Sequence, residues 1–364
     1  MFGSLYIHVP FCRAKCDYCA FYSEAGSSQE SRRPFMARLM EELEAGSKEC
    51  APLNSIFVGG GTPSLLSVDE WRQLFDAIHG CFALAPGCEW SIEANPDSLT
   101  PELVGCWAEN GVNRISMGIQ AFQPRLRDII GRRGSLDNLP AIVESIRQNG
   151  IRRLNLDLIF NIPGQTLPEW RETLQQALAY APTHLSAYAL TLEEGTRLAK
   201  RLPPVDDELF LDFWHETDAV LSTAGIHRYE ISNFSLPGEK CRHNDAIWHG
   251  ATYLRCGPAA SSFDGRTRWT NPPSIRQWLA RTPPEKDILP PEERAAEILA
   301  LGFRTLAGWR WEEFASLTGY EPLAIRGKQL RKLHAQGLIA MDEKGAAPTA
   351  QGLLFNDNLA MELL

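Results

Sequence analysis

Cys12, Cys16 and Cys19 fall within eight residues of a 364-residue chain, at the spacing C-x3-C-x2-C. Thiolates are soft donors that select zinc, copper(I) or iron–sulfur clusters. Zinc sites usually pair a C-x-x-C with a second pair or with histidines elsewhere. Three thiolates in one tight loop, with no obvious fourth partner, suit a [4Fe–4S] cluster better. Each would bind one iron and leave the fourth open for another ligand. A zinc loop and three structural cysteines are the competing readings. The other six cysteines (Cys50, Cys81, Cys88, Cys106, Cys241 and Cys256) are scattered. An odd total of nine, with no secretory signal, argues against a disulfide framework.

Two further features carry chemistry on their own. Gly59-Gly60-Gly61-Thr62-Pro63 closes an apolar run, and glycines let a backbone approach a ligand so that its carbonyls accept from an ammonium. Alone the triplet is only a turn; beside the cysteines it reads as a binding edge. Glu93 ends another apolar run, where a carboxylate is costly unless paired. A bound cation would pair it, and so would an arginine inside the fold.

These residues need a frame. Ser4–Pro10, Ser55–Gly59, Glu89–Ala94, Asn113–Ile119, Asn155–Asn161 and His184–Leu190 read as strands. Helical patterns lie between them at Arg33–Ala45, Val68–Cys81, Pro101–Asn110, Leu136–Asn149, Leu167–Ala179 and Asp206–Thr223. Ser67 and Glu70 form a capping box, and Gly111 and Gly150 stand where left-handed C-caps belong. Six βα units predict an α/β fold, a partial (β/α)6 barrel of TIM type, with its chemistry at the C-terminal strand ends. The candidate residues cluster at those ends. Past Gly225 the alternation breaks: Ile226–Phe234 and Thr252–Ser262 read as further strands around a His/Asn/Trp loop. Helices at Glu292–Thr305, Trp311–Thr318 and Leu323–Ala335 and a two-stranded ribbon then suggest a small winged-helix-like appendage. The expected organisation is a barrel core over 1–225, barrel-completing strands over 226–285 and a C-terminal helical domain over 286–364.

Composition bounds the function. At 44% hydrophobic and 22% charged, the chain can bury a full core, and ~150 residues per domain suggests about two domains. A net charge of −9 argues against a nucleic-acid partner, so the appendage reads as a packing module. No run approaches the ~18 apolar residues of a membrane span. A soluble, cytoplasmic protein is expected.

The motifs resemble a known family. C-x3-C-x2-C after the first strand of a βα barrel is similar to the radical S-adenosylmethionine (SAM) superfamily. "YIHVPFCRAKCDYCAF", "VGGGTPSLL", "SIEANPDSLT", "NRISMGIQAF", "LNLDLIFNIPGQT" and "HLSAYALT", in that order, resemble the branch of oxygen-independent coproporphyrinogen III oxidase (HemN) and its heme-chaperone paralogue. The resemblance implies that SAM chelates the open iron and is cleaved by one electron to a 5′-deoxyadenosyl radical. It assigns Gly60, Gly61 and Thr62 to the SAM edge, Glu93 to the ammonium, and Gln120 and Asp157 to the ribose. Arg132, or its neighbour Arg133, would pair with the carboxylate through its planar fork. Tyr6 and Tyr18 would flank the cluster and line the pocket, Tyr18 near adenine, and Ala189 would offer its backbone. His8 faces the interior or is a satisfied core histidine.

Within that branch the chain leans to the chaperone. The oxidase pattern has a further cysteine where this chain has Phe21, a residue expected to pack beside the cluster without ligating it. The oxidase's N-terminal extension finds no room before the first strand. "CRHNDAIW" matches the chaperone's H-N-x-x-Y-W at His243, Asn244 and Trp248, with Ile247 for Tyr. His243 is therefore a candidate heme contact and His249 the alternative. Other departures are Gly134 at an Arg-x-His position, and Tyr253-Leu-Arg-Cys-Gly-Pro-Ala-Ala-Ser261-Ser262 against Y-L-G-x-G-x-G-A-H-S. The implied partners are heme or another tetrapyrrole, heme-accepting proteins and a reductant such as flavodoxin or ferredoxin. A radical SAM enzyme of tetrapyrrole metabolism, or of another reaction, is the alternative.

Overall fold

The computed structural model describes residues 1–202 and 209–364. Twelve strands form one sheet: β1 (Phe2–Val9), β2 (Cys50–Gly60), β3 (Leu84–Ala94), β4 (Arg114–Gln120), β5 (Arg153–Phe160), β6 (His184–Ala189), β7 (His227–Arg228), β8 (Asn233–Ser235), β9 (Tyr253–Cys256), β10 (Ser261–Phe263), β11 (Thr267–Thr270) and β12 (Glu285–Ile288). Their order is β12-β11-β10-β9-β1-β2-β3-β4-β5-β6-β8-β7. From β9 through β6 the pairing is parallel, and the strands at both flanks are antiparallel. Helices α1 (Gln29–Ser47), α2 (Val68–Cys81), α3 (Pro101–Glu109), α4 (Leu139–Gln148), α5 (Leu167–Ala179) and α6 (Phe210–Ser222) follow the six strands in turn. This is the open (β/α)6 barrel that the periodicity predicts. Residues 206–208 of the predicted sixth helix lie outside the described residues.

Strand alternation divides the side chains. Ile56, Val58, Trp90, Ile92, Ile115 and Met117 are buried in the apolar layer shared with the helices, Trp90 lying 5.4 Å from the Phe75 ring of α2. The alternate residues face the lumen, and they are polar: Glu89, Ser91 and Glu93 on β3; Arg114 and Ser116 on β4; Arg153, Asn155 and Asp157 on β5; His184 and Ser186 on β6. Parallel barrels usually fill this space with branched apolar residues. Here a hydrogen-bond network fills it.

The network is anchored at the strand entrances by Glu89, which is 0% exposed. Arg153 donates to it, as do the backbone amides of Arg242 and His243, each at 3.0 Å. Those amides open helix α7 (Arg242–Trp248), so a buried carboxylate caps a helix some 150 residues away in sequence. The predicted His/Asn/Trp loop is therefore a helix, because its cap is supplied by the tertiary fold. Two predicted strands also divide. Ile226–Phe234 splits into β7 and β8. Thr252–Ser262 breaks into β9 and β10 across Gly257 and Ala259, both at positive φ.

The capping box at Ser67 and Glu70 is present, and Glu70 also takes Arg32 of α1 through two bonds of 2.9 and 2.8 Å. After β12 come α8 (Pro291–Gly302), α9 (Trp311–Thr318), α10 (Pro322–Ala335) and α11 (Asn356–Leu363). A three-stranded sheet of Trp309–Arg310, Ile339–Met341 and Gly345–Pro348 accompanies them, one strand more than the predicted ribbon. Phe303, Trp309, Phe314, Leu330 and Leu363 form their core, which Tyr253 and Phe263 of the large sheet join. No helix among the described residues is long and apolar enough to cross a membrane.

Removing the anchor leaves the Arg242 and His243 amides without an acceptor and strips Arg153 of one of its two carboxylate partners. Glu89→Ala is expected to lower unfolding free energy by about 3–5 kcal/mol, read from the urea midpoint. A loss below about 1 kcal/mol would show that the network closes without it.

Candidate functional site

The cysteine loop leaves the C-terminal end of β1. Cys12 lies in a two-residue strand, Phe11–Cys12, paired with Glu24–Ala25. Thr62 Oγ1 donates to Cys12 Sγ at 3.6 Å, and Arg132 Nη1 donates to Cys16 Sγ at 3.6 Å. The Cys19 amide bonds the Cys16 carbonyl at 3.3 Å. Burial, with added repulsion from Cys16 and Cys12, pushes the Cys19 thiol up. Among the described residues no three His, Cys, Asp or Glu side chains converge on one metal ion; a cubane instead takes one thiolate per iron.

The loop is clamped at Asp17. Its amide donates to Ile130 O and its carbonyl accepts from Leu198 N. Its carboxylate meets Arg201 Nη1 at 3.0 Å and Arg197 at 3.8 Å. Tyr18 packs into a separate apolar cluster with Ile129, Leu198 and Leu202. Phe21 departs from expectation: it is 70% exposed. Lys15 Nζ binds its carbonyl, and the ring points to solvent from the turn after Cys19 instead of packing on the cluster side.

The glycine edge stands directly beside this loop. Gly61 N donates to Val9 O at 2.8 Å, and a Cβ there would come within 2.8 Å of Phe11 backbone. Gly60 has φ +106°, and a Cβ would meet the His8 ring at 2.4 Å. His8 is a satisfied core histidine, donating from Nε2 to Tyr22 O at 3.0 Å and accepting from the Tyr6 hydroxyl at 3.2 Å.

Asn95, which the sequence reading passed over, joins the parts. Its Nδ2 donates to Thr62 Oγ1 at 3.2 Å, and its Oδ1 accepts from Arg132 Nη2 at 2.7 Å. Arg132 also donates to Gly118 O. Its neighbour Arg133 is exposed, so Arg132 is the guanidinium that enters the site.

Two carboxylates face the lumen below. Glu93 accepts from Gly60 N at 3.0 Å; burial, and then Asp157, push it up to about 7. Asp157 is raised by burial, although Ser116 at 3.0 Å and Asn155 at 2.8 Å donate to it. Gln120 ends β4 after a register shift, at φ 65°, a conformation that costs a non-glycine residue. Its Oε1 and Arg132 Nε are buried without a partner. Ala189 is half-buried at the end of β6. Tyr6 faces the lumen from β1, its ring 6.0 Å from that of Phe57 and its hydroxyl 3.2 Å from His8 Nδ1.

His243 lies elsewhere. It is 2% exposed on the first turn of α7, with Nδ1 2.9 Å from Ser55 Oγ and Nε2 unpartnered. Burial pulls it down to about 3, with Arg255 and Arg114 adding to the shift. Both His249 nitrogens meet backbone carbonyls, of Asp245 and Gly308.

The residues present fit a cluster and SAM. Three thiols with donors at two sulfurs suit an anionic iron–sulfur group. The carboxylate pair would be relieved by a cation, and the unpartnered Gln120 oxygen and Arg132 N–H offer an acceptor and a donor for a polar ligand.

Residues 6–177 match the model of the radical SAM superfamily and residues 289–355 that of the HemN C-terminal domain. The chain is 32% identical over 368 residues to heme chaperone HemW of Escherichia coli (strain K12), covering 98% of this chain and 96% of that one. It is 38% identical over 276 residues to heme chaperone HemW of Mycobacterium tuberculosis (strain ATCC 25618 / H37Rv), covering 73% and 71%. The structure of coproporphyrinogen III oxidase (HemN) from Escherichia coli shares the fold, with a TM-score of 0.85 at 22% identity over 99% of this chain and 89% of that one. Fold and motifs thus define a radical SAM scaffold carrying a HemN-type C-terminal domain. The chain belongs to the HemW family.

Gly60→Ala would force both the left-handed backbone and the His8 ring to move. It is expected to cost about 1–3 kcal/mol, measured by denaturant unfolding. An unchanged midpoint would show that the edge yields freely.

Proposed function

We propose that this protein is a cytoplasmic heme chaperone built on a radical SAM scaffold, carrying heme as cargo to acceptor proteins. The observation that carries the reading is the likeness, over nearly the whole chain, to proteins named heme chaperone HemW. In this reading Cys12, Cys16 and Cys19 hold a [4Fe–4S] cluster. Gly60, Gly61 and Thr62 present the edge for the SAM amino group, and Glu93 receives its positive charge. Arg132 takes the carboxylate, Gln120 and Asp157 the ribose, and Tyr6, Tyr18 and Ala189 line the pocket. When bound, cluster and SAM supply one-electron chemistry, for which a flavodoxin- or ferredoxin-like protein is the proposed donor. The chain's own residues orient the ligand and hold Thr62 and Arg132 on the cysteine sulfurs. His243 is the proposed heme contact, since it keeps one ring nitrogen free where His249 does not. At 2% exposure it meets a porphyrin only when α7 moves.

The SAM assignment has a pH signature. Glu93 titrates near 7 without a ligand, so a cation that ionises it releases a proton, and affinity should rise from pH 6 to pH 8. Glu93→Gln should flatten that rise. Glu93→Ala, Gln120→Ala and Asp157→Ala should each weaken SAM roughly ten- to hundredfold while sparing the cluster. Equilibrium dialysis with anaerobically reconstituted protein measures both. Unchanged affinity in all three variants would move the site elsewhere.

The function itself is decided by a paired assay. Reconstituted protein should bind heme, lose affinity on His243→Ala more than on His249→Ala, and leave coproporphyrinogen III unconverted with SAM and reductant present. Robust decarboxylation would replace the chaperone with an oxidase. Absence of heme binding in every redox state would leave a radical SAM protein for another substrate.

A further inference from the structure

Register alone assembles a second polar layer, in the lumen near Glu93. Arg255, Tyr6, Phe57, Ser91, Arg114 and Arg153 are successive cross-strand partners on β9, β1, β2, β3, β4 and β5. Residues paired in register point to the same side of a sheet, so all six enter the lumen.

Arg153 is consumed by Glu89 and Glu239. Arg255 enters no ion pair among the described residues. Arg114, although its charge bears on Glu89, makes no hydrogen bond or ion pair with it, because the Glu89 oxygens are taken by Arg153 and the α7 amides. Arg114 is 3% exposed and Ser91 is 0% exposed. Arg114 Nε, Arg255 Nε and Ser91 Oγ are all buried without a hydrogen-bond partner. The Arg255 guanidinium is held by aromatic faces, 4.9 Å from the centre of the Tyr6 ring and 4.6 Å from that of Tyr253. His243 lies against the middle of this row, its ring 5.3 Å from that of Phe57, with Arg255 along the row to one side and Arg114 to the other.

Each of the three unpartnered atoms can donate. Buried donors without acceptors are costly, and an excess of them, two on guanidiniums, is matched by an anion with several acceptor oxygens. We propose that Arg255, Ser91 and Arg114 form a carboxylate-binding chamber in the barrel lumen, with Arg255 as its specificity-determining residue. Resting on the tetrapyrrole reading above, the carboxylate is a propionate arm of the cargo; a free small carboxylate offers the same chemistry.

The test uses the full-length, reconstituted protein with Arg255→Gln and Arg255→Lys, their fold checked by near-ultraviolet circular dichroism. Three probes are titrated: coproporphyrin III, a porphyrin bearing no carboxylates, and sodium propionate followed by thermal shift. Coproporphyrin affinity should fall about tenfold or more in Arg255→Gln and be partly restored in Arg255→Lys, with the carboxylate-free porphyrin unmoved. A thermal shift with propionate that Arg255→Gln abolishes, without porphyrin discrimination, would support the chamber and assign it to a free carboxylate. If the wild type binds neither porphyrin, the tetrapyrrole reading fails and propionate alone decides the chamber. Equal coproporphyrin affinity in wild type and Arg255→Gln, with no propionate effect, overturns the proposal.

Discussion

Everything in the barrel depends on a carboxylate that water cannot reach. Glu89 enters the fold charged, and burial alone would push it toward the neutral form; Arg114, Arg153 and the amides of His243 and Arg242 reverse that and hold it below the usual carboxylate range. A charge at 0% exposure is tolerable only with such a partner set. Meeting that requirement fixes α7 beneath the strands and turns the β5 arginine inward. The lumen is then lined with groups that need each other, so the apolar side of the sheet is left to the helices.

The same constraint explains why the site can be polar throughout. Side chains on β3, β4, β5 and β6 alternate, and most inward groups find a bond on a neighbouring strand, Ser91 and the Arg114 Nε being exceptions. Asn155 is the clearest case: its amide nitrogen reaches Ser116, Asp157 and Ser186, and its oxygen reaches His184. Satisfied networks of this kind favour one register, because a slip of a single residue would expose every bond to the wrong face. At the strand exits Gln120 Oε1 and Arg132 Nε lack partners, and the carboxylates Glu93 and Asp157 lack a bonded cation among the described residues. That conjunction marks the candidate site more sharply than any one side chain.

How much of this was legible depends on where the determining partner lies. Val68–Cys81 could be read to the residue, because Ser67 with Glu70 caps it locally; Leu167–Ala179 agrees as well, and the structure shows Thr166 with Glu169 closing the same kind of box there. The cysteines, glycine edge and terminal polar residues could be read because motif and strand end coincide. The helix after Cys241 could not: its cap, Glu89, is far away in sequence. Asn95 was missed because it looks like a turn residue until Thr62 and Arg132 converge on it. Phe21 was misplaced because its type says buried, while the backbone after Cys19 turns it outward. The inward arginines did leave a signal. Polar residues at every second position of strands in a parallel sheet, as in Glu89-x-Ser91-x-Glu93 and Arg153-x-Asn155-x-Asp157, already announce a wet interior.

The place of β1 in the sheet bears on how the chain is made. One side of β1 pairs with β2, some fifty residues later, and the other with β9, which ends at Cys256. A ribosome delivers the chain from its N-terminus, so the first strand waits with one edge unpaired until more than two-thirds of the protein has emerged. The cysteine loop hangs from that strand. Its clamp also arrives late, since Ile130 and then Leu198 and Arg201 must follow before Asp17 is held. During synthesis the three thiols are therefore open to oxidants and stray metal ions long before their pocket exists. Loading of the loop belongs after β9 has emerged, or needs a guardian until then.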